Sequence, residues 1–387
     1  MRSIRGKLGA FVLLAASIVF LAACADGAAQ TGAYAQIDGL QWQEREELSY
    51  AEGFSIDKYE GGWRLLTISD GSRYLVVPEG LSAPEGLEND IHVINRPVSD
   101  IYMAASAVMD MFRALDAIDA VRLSGLDADG WYIEEAKQAI EDGRMLYAGK
   151  YNAPDYELIL SQGCTLAIEN TMLLHAPEVQ EQLEKLGITV FTDWASYESH
   201  PLGRVEWVKL YGALLGREDE AAQAFAAQEA ALRQIEERQA KTAGADVEKT
   251  VAFFYITSAG AVSVRSPSDY IPKLIEMAGG KYVFDDLEDA GKKQSSVTLQ
   301  AEEFYARAKS ADYLIYNSAT GGGYESLDAL LDDNGILEDF DAVHSGNIWC
   351  TAKNLYQESM SVGGLLTDIC AILNDENPQT KYIYRLE

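Results

Sequence analysis

Four cysteines and four histidines are all the thiol and imidazole ligands that 387 residues offer. Cys24, Cys164, Cys350 and Cys370 form no C-x-x-C pair, which argues against a cysteine-held metal cluster. With Cys24 set aside, a Cys350–Cys370 disulfide and three buried thiols both stay open. His92, His175, His200 and His344 are a poor supply for the His-rich site of a zinc or manganese carrier. The chain has no G-x-S-x-G elbow, no H-E-x-x-H pair and no phosphate-cradling glycine loop after a strand. "GGGY" from Gly321 lacks the P-loop lysine, and His200 beside Glu198 has no nucleophile near it in sequence. These absences argue against an enzyme. Basic residues are scarce too: 31 Lys and Arg against 61 Asp and Glu give a formal net charge of −30, which disfavours nucleic acid as a partner.

Long apolar runs are missing, with one exception at the start. Arg2, Arg5 and Lys7 precede an apolar run from Leu8 that ends at Leu21-Ala22-Ala23-Cys24. That run is shorter than the roughly 20 residues a bilayer core requires, so residues 1–23 read as a secretory signal. A Cys after Leu-Ala-Ala resembles the bacterial lipobox, in which the thiol of Cys24 is acylated and becomes the new N-terminus. An ordinary signal with an incidental Cys is the alternative. Residues 24–33, rich in Ala and Gly, then form a flexible tether, and the expected location is extracytoplasmic, lipid-anchored to the membrane. Without the three basic residues of the signal, 28 Lys and Arg face 61 Asp and Glu, a net charge of −33.

The remaining length suffices for two α/β domains. Residues 34–90 alternate apolar and polar positions around Gly61-Gly62 and Asp70-Gly71, the pattern of antiparallel strands joined by hairpin turns. From His92 the rhythm changes. "HVINRP" reads as a strand, "IYMAASAVMDMFRALD" as a helix, "AVRLSG" as a strand and "YIEEAKQAIEDG" as a helix. "DYELILSQG", "TLAIEN", "PEVQEQLEKLG" and "ITVFTDW" continue the alternation, which predicts βαβ units and a largely parallel sheet over 91–201. Val205, Val208, Leu210, Tyr211, Leu214 and Leu215 recur at helical spacing and predict one long helix over 202–240, with a break or kink at Gly216. A second series of strands and helices fills 241–387.

Two α/β lobes with mainly parallel sheets, joined by a long helix, with a β-rich N-terminal extension, resemble the solute-binding proteins of ABC importers. The resemblance is to the class with a rigid interdomain helix, whose members bind ferric siderophores, haem or cobalamin. It covers roughly Ile91 to Ile372 and rests on "DYELILSQGCTLAI", the helix after "HPLGR", "DYIPKLIEMAGG", and "EEFYARAKSADYLIYN" followed by "FDAVHSGNIW". Cys164-Thr165 stands where the family usually has Pro-Asp. "YAGKYNAPDYELIL" and "YESHPLGRVEWVKLYG" resemble a subset of iron-complex transporters. The resemblance implies an iron complex (siderophore or haem) or a corrinoid as ligand, with no separate cofactor. It also implies an ABC permease with its ATPase subunits as partner. One exposed acidic residue per lobe docks on permease arginines in the family, and the matching positions are Glu157 and Glu302 or Glu303.

Ligands of open α/β sheets bind outside the carboxyl ends of the strands. That rule selects Arg96, Trp131, Asn170, Thr171, Met172, Tyr197 and Glu198 in the first lobe, and Ser258, Asn317 and Tyr356 in the second. Arg204 and Arg265 are the cationic candidates, because a guanidinium holds carboxylate or catecholate oxygens in bidentate fashion. An ion pair of Arg204 with Glu198 or Glu206 is the alternative, with Glu198 the better placed. Tyr147, Tyr151 and other tyrosines near these loops could line a flat pocket for a large conjugated ligand. His175, His200 and Met172 could reach a metal, or serve as ordinary structural groups. A surface lipoprotein that only binds other proteins is the competing reading.

Overall fold

The computed structural model describes residues 34–242, 249–288, 294–374 and 379–387. The signal, Cys24 and the tether lie outside the described residues. Among those described, no helix is long and apolar enough to cross a membrane.

The hairpin pattern of the N-terminal region becomes a five-stranded sheet. Strands β1 (Trp42–Arg45), β2 (Phe54–Tyr59), β3 (Arg64–Ile68) and β4 (Arg73–Val77) are antiparallel, and β5 (Ile91–Asn95) lies parallel to β4. Gly71, with φ at 98°, turns the β3–β4 hairpin, and the Asp70 carboxylate accepts from the Ser72 amide at 2.8 Å. The expected start of the first lobe at residue 91 is therefore corrected: "HVINRP" pairs within the extension.

The first lobe contains β6 (Ile101–Met103), α1 (Val108–Ala114), β7 (Val121–Ser124), α2 (Glu134–Glu141) and β8 (Leu146–Tyr147). A small hairpin of β9 (Gly149–Lys150) and β10 (Ala153–Pro154) follows, then α3 (Tyr156–Ser161), β11 (Leu166–Asn170), α4 (Pro177–Lys185) and β12 (Thr189–Asp193). Its sheet is parallel throughout, in the order β12-β11-β6-β7-β8. The helix expected from Ile101 begins as β6, the middle strand. Ile101, Tyr102 and Met103 are fully buried, and a strand covered on both faces shows no alternation to distinguish it from a helix.

The predicted break at Gly216 is present, but the single helix expected over 202–240 is corrected to two, with the chain reversing between them. Helix α5 (Pro201–Leu215) ends there in the left-handed conformation, with φ at 74°, and α6 (Glu218–Thr242) is the long helix. A Cβ on Gly212 would lie 2.5 Å from the Ala221 methyl, and the Lys209 ammonium lies 4.7 Å over the Phe225 ring. Both pairs are centred on the turn, so α6 runs back beside α5.

The second lobe has β13 (Lys249–Ile256), β14 (Val262–Arg265), α7 (Tyr270–Met277), β15 (Gly280–Tyr282), β16 (Ser296–Leu299), α8 (Ala301–Ala308) and β17 (Tyr313–Tyr316). It closes with α9 (Ser318–Gly321), α10 (Leu327–Asp333), α11 (Asp341–His344), β18 (Ile348–Thr351), α12 (Val362–Leu373) and β19 (Ile383–Arg385). Parallel strands β15, β13, β17 and β18 carry antiparallel additions β14, β16 and β19. Cys350 is a buried free thiol, so the Cys350–Cys370 disulfide does not form.

All of α5 except Lys209 and Leu215 is buried. Such a helix cannot leave a carboxylate unpaired, and the extension supplies the partners. Glu206 accepts the amides of Ser49, Tyr50 and Ala51 at 2.8–3.1 Å and the Lys209 ammonium at 2.7 Å. Glu198, just before α5, accepts the amides of Glu52 and Gly53 and the Trp207 indole N–H. Replacing the fully buried Glu206 with alanine leaves the part-buried amides of Ser49, Tyr50 and Ala51 and the Lys209 ammonium without their acceptor. Urea denaturation of Glu206→Ala should therefore show a loss of about 3–5 kcal/mol, in the range measured when one partner of a buried charged pair is removed. A loss under about 1 kcal/mol would show that the extension is not held this way.

Candidate functional site

The two lobes meet at their strand ends. After β18, the Gln357 side chain accepts the Tyr132 amide at 2.8 Å and donates to the Gly130 carbonyl at 2.7 Å. Ser359 Oγ donates to the Ala107 carbonyl, and the Met360 amide donates to Asp110 Oδ2 at 2.8 Å. Gly130 and Tyr132 follow β7, and Ala107 follows β6, so the loops that the strand-end rule selects in both lobes face one another.

Where α5 leaves the first lobe, its second turn carries Arg204, which is 8% exposed. Its guanidinium lies 4.0 Å from the centre of the Tyr270 ring, at the start of α7. It makes no ion pair with Glu198 or Glu206, whose oxygens are taken by the 49–53 amides. Next to this pair, Arg265 at the end of β14 donates a hydrogen bond to the Tyr356 hydroxyl and lies 3.6 Å from Asp269 Oδ2. Burial works against the Arg265 charge, but Tyr356, Asp269 and Tyr270 outweigh it and raise its pKa. Burial raises Asp269, and the two arginines pull it back; its Oδ1 caps α7 through the Ile271 amide. Two guanidiniums thus share one carboxylate and two phenols.

Two hollows open beside this cluster, of about 260 and 550 Å³, and both are bordered by Ser199, Ser268 and Asp269. The smaller one reaches Tyr197, Gln294 and Ser295, and the larger one runs along α7 past His200, Lys273 and Lys281. Among the described residues, no three His, Cys, Asp or Glu side chains gather as a metal site.

The remaining predicted residues divide. Tyr147 and Met172 are exposed at the ends of β8 and β11, Thr171 and Tyr151 are half-buried nearby, and Tyr197 packs on Trp194 at 5.1 Å between ring centres. Ser258 is exposed in the turn between β13 and β14. Four residues are corrected to structural roles. Arg96 lies after an extension strand, and its guanidinium donates to the Ala213 and Leu214 carbonyls at the end of α5 and pairs with Glu218. Trp131 is buried in the core, its indole N–H donating to Ser124 Oγ at 3.0 Å. Asn170 turns inward: its side chain accepts the Met172 amide and donates to the Ala104 carbonyl. Asn317 is buried, bonded to Thr320 and Thr351. Glu198, the fifth, is consumed as a tether although it borders the smaller hollow. His200 caps α5 through the Leu202 amide and stacks on Tyr50 at 4.6 Å, and His175 is exposed. Glu157, Glu302 and Glu303 are exposed at helix starts, Glu303 lying 3.4 Å from Arg307. Sequence reasoning missed Asp269, although Ser268-Asp269 before an apolar run is a helix-start signal, and offered Tyr270 only as one of several tyrosines near the loops. Gln357 left no signal.

No family model matches the chain. Two uncharacterized lipoproteins of Methanocaldococcus jannaschii are similar along most of their length. One is 25% identical over 360 residues, 87% of this chain and 82% of its own. The other is 23% identical over 399 residues, 97% of this chain and 98% of its own. A periplasmic heme binding protein from Pseudomonas aeruginosa superposes with a TM-score of 0.60 at 17% identity, over 75% of this chain and 98% of that one. An ABC transporter substrate-binding protein from Listeria monocytogenes gives 0.53 at 16%, over 71% and 98%. A periplasmic catecholate-siderophore binding protein from Vibrio cholerae gives 0.52 at 12%, over 70% and 93%. The chain has the fold of these three solute-binding proteins.

Arg96 and Arg204 should behave oppositely when truncated. Arg96→Ala strips charge-assisted bonds from the end of α5 and should reduce stability by about 1.5–3 kcal/mol. Arg204→Ala loses a ring contact and should change the ligand-free protein by about 1 kcal/mol or less. Thermal melts of the two variants check this, and a larger loss for Arg204→Ala would reverse the assignment.

Proposed function

We propose that the protein is the extracytoplasmic substrate-binding lipoprotein of an ABC importer, anchored through Cys24. In this reading it captures an iron complex, siderophore or haem, or a corrinoid between its lobes, and hands it to the permease without chemistry of its own. The observation that supports this most is Arg204: a nearly buried guanidinium in no direct salt bridge among the described residues, stacked on Tyr270 at the junction of two lobes of this fold. In a protein of formal net charge −30, a cationic spot at the lobe junction selects for an anionic group brought to it. Tyr147 and Met172 on the first-lobe side offer apolar contact to the body of a large ligand.

Intrinsic tyrosine and tryptophan fluorescence tests capture. Titration with a ferric siderophore, haem or cobalamin should quench it for at least one ligand. Arg204→Ala should weaken an anionic ligand roughly ten- to hundredfold, the equivalent of one charge-assisted contact. Tight binding of a sugar or amino acid, with no response to the other three, would overturn the reading.

Delivery is tested at the other face. Glu157→Lys combined with Glu302→Lys should leave ligand affinity intact while uptake into vesicles carrying the permease collapses, since each docking pair becomes a like-charge contact. Undiminished uptake by this double variant, and by the one with Glu303→Lys, would exclude these residues as docking points.

A further inference from the structure

Glu169 is the penultimate residue of β11, two residues before the turn Thr171–His175 that carries Met172. It is 0% exposed, and neither carboxyl oxygen has a hydrogen-bond partner among the described residues. Strand alternation places it on the face of Ala167, whose core is completed by Tyr102 of β6, Ile159 of α3, and Val179 and Leu183 of α4. In register it lies beside Thr192 of β12. The titratable groups around this space are Tyr102, Tyr147 at the end of β8, Tyr156 of α3, Cys164 before β11 and Glu178 of α4. None of these is basic, and Lys150 and His175, on the neighbouring hairpin and turn, are exposed to solvent. With nothing to stabilise its charge, burial alone pushes the Glu169 carboxyl up to about 8.

Two loops border this core, Ala148 and Leu173 belonging to the same buried cluster as Tyr102 and Ala167. The Tyr102 hydroxyl donates to the Gly149 carbonyl at 2.8 Å and so holds down the β9–β10 hairpin, which the Asp155 amide closes on the Ala148 carbonyl at 2.7 Å. On the other side, Asn170 caps the turn Thr171–His175. These loops present the exposed Tyr147 and Met172. An ionised carboxylate cannot stay in such a space without water or a partner.

We propose that Glu169 is a proton-operated catch. While its carboxyl is neutral, loops 147–156 and 170–175 pack over it. When it loses its proton they part, and water reaches the carboxylate. Any effect on ligand capture through Tyr147 and Met172 rests on the function proposed above; the catch itself does not. The sign follows from the raised folded-state pKa. The contribution of the neutral group to the packed state is complete below about 4.5, the ordinary value, and is lost as pH rises to about 8.

Hydrogen exchange on the full chain reads this directly. After correction for intrinsic exchange, protection of the Ala148, Asp155 and Met172 amides should fall by up to about tenfold per pH unit between pH 5 and 8, with little further change above. Glu169→Gln, which is neutral at every pH, should remove that dependence, and so should Glu169→Leu. Infrared spectra of the wild type supply a readout that needs no variant. A neutral-carboxyl band should persist at pH 7 and fade between pH 7 and 9, the range in which the loss of protection levels off. Parallel exchange profiles for wild type and Glu169→Gln, or a wild type with no neutral carboxyl at pH 7, would overturn the proposal.

Discussion

Two carboxylates on one buried segment set the arrangement of the whole body. Glu206 lies inside α5 and Glu198 just before it, and together they gather the amides of residues 49 to 53. A helix covered on nearly every side has to satisfy its polar groups internally, because an unpaired charge there would be prohibitively expensive. The extension is therefore part of the packing of α5 and not an appendage. Its strands share a continuous apolar core with α5, α6 and both lobes. Gly53 fits this contact because a Cβ there would come within 2.8 Å of the Glu198 carboxylate.

That packing also fixes the site. Pro201 and His200 begin α5 at the lobe junction, and one turn later Arg204 is delivered against Tyr270 of the other lobe. Arg265 is aimed by Tyr356 and Asp269 into the same space. The four hydrogen bonds made by Gln357, Ser359 and Met360 join the lobes on their facing loops. A cleft spanned by α5 and stitched in this way favours capture with little closure, unlike folds whose lobes swing on two flexible strands.

The sequence announced the two lobes because their outer helices are amphipathic and their strands are bounded by turns. It concealed β6, because Ile101, Tyr102 and Met103 are buried on both sides and show no period. Strand β5 was read as a strand but assigned to the wrong sheet, since pairing partners are not written in a local pattern; Arg96 moved away from the cleft with it. In the site, Arg204 and Arg265 were legible as cations beside a helix start. Glu198 looked identical to a ligand-facing carboxylate, because the amides that consume it lie about 145 residues upstream. Glu169 could not be picked out at all: a buried unpaired acid and a solvated one are spelled the same way.

The central claim is that the space between the lobes holds a metal-bearing, conjugated or ferric ligand. The absorbance spectrum of the protein purified from its native host tests it most directly. The account predicts a visible band that co-purifies with the protein and is lost on denaturation: a haem Soret band, a corrinoid band or a ferric charge-transfer band. A protein that is colourless as isolated, and stays colourless after incubation with haem, a ferric siderophore and cobalamin, would contradict it.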